Sequence, residues 1–158
     1  MEKVYLASYK ATHTGLAGLI NRVIRLVTKS QYSHSELVIA DDAHPFDGHV
    51  LCISSAGMDG GVRSKVMRLD ERKWDLIELP HLSPLVVLAF FSEHQGQGYD
   101  YVGCVRSVLP FVGCEHPSRW FCSELCATVL GHAEPWRMYP GVLHAVESTR
   151  SAGQRGVA

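Results

Sequence analysis

Apolar and polar positions along the chain switch between two periods. Lys3–Ser8 is a short apolar run that predicts a strand. From Gly15 to Lys29, Leu16, Leu19, Ile20, Val23 and Val27 recur at helical spacing, with Asn21, Arg25 and Thr28 on the other side, so an amphipathic helix is predicted. Ser33–Ala40 then alternates. Ser35, Leu37 and Ile39 share one face, and His34, Glu36, Val38 and Ala40 share the other. Asp41–Gly48 reads as a turn from its Asp, Pro and Gly content. Val50–Ser55, Val62–Met67 and Trp74–Leu79 predict three more strands. A Gly57–Gly61 turn separates the first two, and Pro80 stops the third.

The second half is mostly helical in pattern. Ser83-Pro84 places a hydroxyl at an N-cap and Pro at the first helical position, opening a helix that runs to about Glu93. Gln95–Gly98 predicts a loop, Tyr101–Leu109 a helix that ends before Pro110, and Pro110–Arg119 a second loop. Trp120–Leu130 predicts a helix closed by Gly131, and Gly141–Glu147 a last short one. Ser148–Ala158 is small and polar and predicts a disordered tail. The sum is an α+β fold of one domain over residues 1–147: a small, mainly antiparallel sheet or partial barrel packed with helices.

Composition narrows the function classes. The 158 residues are 46% hydrophobic and 20% charged, the balance of a globular domain. Fifteen Lys and Arg face sixteen Asp and Glu, so no global basic excess draws in nucleic acid or an anionic membrane. Arg63, Lys65, Arg68, Arg72 and Lys73 form a local basic run, but Asp70, Glu71 and Asp75 interrupt it, and it reads as a solvated face. The first residues carry no signal-peptide pattern. The longest apolar run, Pro84–Phe91, is far short of the ~20 residues that span a bilayer. Five Cys cannot all pair within the chain. A reduced, cytoplasmic protein with one chemically special thiol is expected; release by another route would leave the same sequence.

Three residues have the makings of a reactive set. Cys122 falls where a loop becomes a helix, and a helix N-terminus stabilises a thiolate. The backbone N–H groups of Cys122 and Ser123 there could also receive an oxyanion. The bland alternative is a buried structural Cys. His34 opens a strand, and Glu36, two residues on, shares its face. Strand rise sets the two Cα atoms roughly 6.6 Å apart, within reach of a Glu side chain. A carboxylate there would fix the ring tautomer and stabilise imidazolium, as in a nucleophile–base–orienter set.

Four segments occur in a telling order: Tyr32-Ser-His34-Ser-Glu-Leu-Val38, Gly57-Met-Asp-Gly-Gly-Val62, Tyr99-Asp-Tyr-Val-Gly103 and Trp120-Phe-Cys122-Ser-Glu-Leu125. Together they resemble the circularly permuted NlpC-like branch of the papain-like superfamily, the group with the YiiX/YebB-like hydrolases, over roughly Val4–Ala145. In the ordinary order the Cys helix precedes the His strand; here His comes first. The resemblance implies a permuted papain-like fold, with Cys122 as nucleophile and His34 as base. The third polar group is Glu36, with Ser54 or Ser55 on the following strand as rivals. Tyr99 and Asp100 match an aromatic–acid pair upstream of the Cys helix, Asp100 as a structural cap. Amidase or peptidase activity is implied, on cell-wall peptides or on lipid acyl groups, with no cofactor.

Other chemistries find less support. Cys114, His116, Cys122 and Cys126 are zinc-type ligands, but no Cys-x-x-Cys knuckle occurs, and Cys126 fits an inward-packed position beside Leu125, Val129 and Leu130. Neither a phosphate loop nor a dinucleotide fingerprint is present. Trp74, Trp120 and Trp136 lack a surrounding basic stripe and suit a core or groove wall rather than base stacking. Two functions therefore compete: a cysteine hydrolase or acyltransferase acting on a peptide, small-molecule or acyl substrate, and a catalytically inactive binding module on the same fold.

Overall fold

The computed structural model describes residues 2–12, 15–41, 45–106, 116 and 118–155. Strands β1 (Glu2–Tyr9) and β2 (His34–Asp41) flank helix α1 (Gly15–Thr28). Strands β3 (Val50–Ala56), β4 (Gly61–Met67) and β5 (Trp74–Glu78) follow, with a 3-10 turn at Gly57–Asp59. Helix α2 (Pro84–His94), strand β6 (Gly98–Tyr99), helix α3 (Tyr101–Arg106), strand β7 (Arg119–Trp120) and helices α4 (Cys122–Val129) and α5 (Pro140–Arg155) complete the chain. The strands make one curled, mixed seven-stranded sheet, a half-barrel in the order β5-β1-β2-β3-β4-β6-β7. Every pairing is antiparallel except β6 with β7.

The alternation in β2 sorts residues as its period requires. Leu37 and Ile39 join Val4, Leu6, Ile53 and Ile77 beneath α2, α4 and α5. Val38 and Ala40 join Tyr5, Ala7, Cys52 and Trp74 on the opposite face. Both faces of β2 are therefore covered, and His34 and Glu36 share the face of Val38 and Ala40.

Gly61 sets how closely β4 meets the loop before β6. The Val62 N–H donates to the Gln97 carbonyl at 2.8 Å, and Gly96 N–H donates to the Val62 carbonyl at 3.1 Å. Gly61 has φ +147°, and a Cβ there would collide with the Gln97 carbonyl oxygen. Gly61→Ala is expected to cost at least about 2 kcal/mol in thermal denaturation, by strain and by pushing β6 off the sheet.

Three expectations from the sequence change. Trp120 lies in β7 rather than in the helix, which starts at Cys122. The residues expected as a disordered tail continue α5 to Arg155. Leu143, Glu147 and Ser151 form a buried stripe at i, i+4 and i+8, and His132 Nε2 meets the buried Glu147 Oε1 at 2.8 Å, so a polar-looking segment has a packed face. The short β6 and β7 fall where loops were expected, since two-residue strands carry no periodic signal. The expected Pro110–Arg119 loop lies largely outside the described residues, as do parts of the Asp41–Gly48 turn and of the Tyr101–Leu109 helix.

Candidate active site

The four segments singled out in the sequence converge. Tyr101 donates its hydroxyl to the Gly57 carbonyl at 2.9 Å. Gly61 pairs with Gly98, and Tyr99 pairs with Trp120. The Ser35 N–H, on the His34 strand, hydrogen-bonds the Cys122 sulfur. Asp100 caps α3, its carboxylate accepting from the Gly103 N–H at 2.7 Å.

Cys122 is the first residue of α4 and is buried. The helix start is fixed by Glu124, whose side chain accepts from the Phe121 N–H at 3.2 Å. His34 and Cys122 hydrogen-bond one another. On the other side of the ring, Nε2 meets Glu36 Oε1 at 3.0 Å, which leaves Nδ1 for the sulfur. His34 keeps 22% of its side chain exposed, whereas Glu36 is 2% exposed. Trp74 stands edge-on to the imidazole at 6.3 Å and forms one wall.

Burial alone would raise the Cys122 thiol. The His34 charge and hydrogen bond, with the N–H groups of Ser35 and Ser123, outweigh it and hold the thiol below its ordinary 9.0. For His34, burial favours the neutral ring. The Cys122 charge and hydrogen bond, joined by those of Glu36, overcome this and raise it to about 10. Each group thus favours the charged form of the other, thiolate beside imidazolium.

Arg63 completes the constellation, and the sequence reading missed it. The charge pattern groups it with Lys65, Arg68, Arg72 and Lys73 on a solvated face. Those four are exposed, but Arg63 turns inward. Its Nη2 donates to Glu36 Oε1 at 2.6 Å and its Nη1 to Oε2 at 3.0 Å, a two-point grip on a buried carboxylate. Arg63 also bonds Asp59, which Lys65 meets in turn at 2.5 Å. Charges of alternating sign therefore run from Lys65 through Asp59, Arg63, Glu36 and His34 to Cys122. The signal was in the hairpin register: the Gly57–Gly60 turn pairs Ala56 with Gly61, which sets Ser54 opposite Arg63. The small Ser54 side chain lets the longer one cross above it.

Glu36 fills the third position. Burial would raise its carboxyl, but the bonds to His34 and Arg63 bring it from 4.5 to about 2. A carboxylate held that low orients the ring without taking its proton. Ser54 and Ser55 serve elsewhere: their hydroxyls donate to the carbonyls of Ser35 and Trp120, each at 2.7 Å. Of the two expected oxyanion donors, the Ser123 N–H is directed at the sulfur. The Cys122 N–H, at the first helical position, has no intrahelical acceptor.

No family model matches this chain, and no curated protein matches it. Cys126, one of the zinc candidates, lies within the apolar cluster, and Cys114 is outside the described residues. Among the described residues no group of three or more His, Cys, Asp or Glu is placed to hold a metal. No described helix is long and apolar enough to cross a membrane. Tyr99 adds a wall beside the sulfur. Burial and then the charges of Cys122 and Cys104 push its phenol well above 10.0, so it stays protonated as a donor.

Proposed function

We propose that the protein is a cysteine hydrolase or acyltransferase on a permuted papain-like fold. One observation carries this reading: a thiol at a helix start bonds an imidazole whose far nitrogen is held by a buried carboxylate. The order of the segments, His34 before Cys122, supports the permuted form. The resemblance supports amide, ester or thioester carbonyls as substrates.

The Cys122 thiolate attacks the carbonyl carbon, and the carbonyl electrons move onto oxygen. The Cys122 N–H faces this charge. As the sulfur becomes covalently bound it accepts hydrogen bonds less well, which frees the Ser123 N–H to turn toward the oxyanion. Collapse breaks the bond to the leaving group, and the His34 imidazolium gives that group its proton. An acyl-enzyme remains. Water, deprotonated by the now neutral His34, attacks it; acid product leaves, and thiolate and imidazolium are restored. An alcohol or amine in place of water gives transfer instead. Glu36 and Arg63 keep the ring in position throughout.

A panel of amide, ester and thioester substrates, read by intact mass, is expected to leave an acyl adduct on the wild type and none on Cys122→Ala. Turnover of the variant should fall by about 10⁴-fold or more. A variant that is folded by circular dichroism and keeps full biological activity would establish the non-catalytic module instead.

A further inference from the structure

Helix α1 sits the reverse of a core helix. Gly18 is buried, and Arg25 reaches back to the body of the protein, to the carbonyls of Lys10 at 2.9 Å and Ala11 at 2.7 Å and to the Thr12 hydroxyl. At about 100° per residue, Leu19, Val23, Leu26 and Val27 fall on the opposite side. They are 56%, 50%, 80% and 52% exposed. Arg22 lies along one border of this apolar strip and Lys29 follows directly after the helix's last residue; both are exposed, and neither has an ion-pair partner among the described residues. No acidic residue occurs between Gly15 and Lys29.

A helix with an exposed apolar strip, a purely cationic border and no acid matches the chemistry of an anionic lipid surface. Aliphatic side chains enter the acyl boundary while Arg and Lys extend to headgroup phosphates. A second copy docked on the same strip would set cations against cations. The overall charge of −1 places the attraction in this helix rather than in the whole molecule. We propose that α1 docks the protein on an anionic bilayer surface, through Leu19, Val23, Leu26 and Val27 with Arg22 and Lys29 at its edge. Tyr9 pairs with His34, so α1 leaves and rejoins the sheet at the end that holds the reactive pair. Docking turns that end toward lipid. Lipid acyl carbonyls as substrates follow only if the cysteine-hydrolase reading holds; the docking itself does not depend on it.

Flotation of the full chain tests this, using vesicles of phosphatidylglycerol and phosphatidylcholine in equal parts beside vesicles of phosphatidylcholine alone. Binding is expected to the mixed vesicles, weakening with salt. Leu26→Asp and Val23→Asp should abolish it. Arg22→Gln with Lys29→Gln should weaken it by about 25-fold, roughly fivefold per charge. Cys122→Ala should bind as wild type, so an inactive site cannot imitate failed docking. Absence from the mixed vesicles overturns the proposal, as does binding unchanged by the Asp substitutions. So does a dimer in light scattering that Leu26→Asp dissolves without any vesicle binding, since the strip would then belong to a second copy.

Discussion

Iodoacetamide at about pH 6 is expected to alkylate Cys122 ahead of Cys52, Cys104 and Cys126. Exposure argues for a different order. Cys104 is half-buried, and the other three are buried. Ionisation decides otherwise. Burial and then the Cys122 charge raise Cys104 to about 12. Burial raises Cys52 and Cys126 as well, helped by the charges of Glu36 and Cys122 respectively. Only Cys122 among these four is lowered. The ion pair forms above the lowered Cys122 value and persists until His34 loses its proton near 10. In His34→Ala the thiol loses its counter-charge, and at about pH 6 its rate should fall by about 10²-fold or more, recovering only in alkali. Peptide mapping by mass spectrometry reads both results. Labelling of Cys104 first, or a His34→Ala variant that reacts like the wild type, would remove the activated thiol and the mechanism with it.

Arg63→Met is expected to destabilise the protein by about 3–5 kcal/mol at neutral pH, because it removes the two-point grip on a buried carboxylate and leaves Glu36 only the imidazole that Cys122 also shares. For a chain of this length that lowers Tm by roughly 10 °C. Pairing the change with Glu36→Gln should recover part of the loss, since no buried charge then lacks its cation. The pH dependence has a definite sign. With its folded value near 2 against an ordinary 4.5, Glu36 stabilises fully above about 4.5 and loses that contribution as pH falls toward 2. The gap between wild type and Arg63→Met should therefore narrow in acid. A neutral-pH difference under about 1 kcal/mol would return Arg63 to the solvated face that its neighbours occupy.

What the chain made legible follows from the range of each interaction. The alternation of β2 placed His34 and Glu36 on one side of a strand, and the helical spacing of α1 was plain, because both are local periods. Which side of α1 met the protein was not local. It depends on Arg25 reaching the carbonyls of Lys10 and Ala11. Arg63 looked like one cation among several, and only cross-strand register separates it from Lys65. The stretch after Glu147 read as a tail because its buried stripe is made of Glu and Ser, and His132, outside the helix, makes that stripe tolerable. Cys122 was visible as a helix-start thiol, but its two backbone donors come from different elements, Ser35 on β2 and Ser123 on α4.

The reactive pair joins β2, near the front of the chain, to α4, near its end. During synthesis the imidazole emerges long before the sulfur that it ionises, and the strand waits for a helix not yet made. Until α4 seats against β2, residue 122 is an ordinary thiol, protonated and slow. On the proposed function, a nascent chain would therefore carry no armed nucleophile past its own carbonyls or those of the ribosome, and reactivity would switch on only once α4 seats against β2.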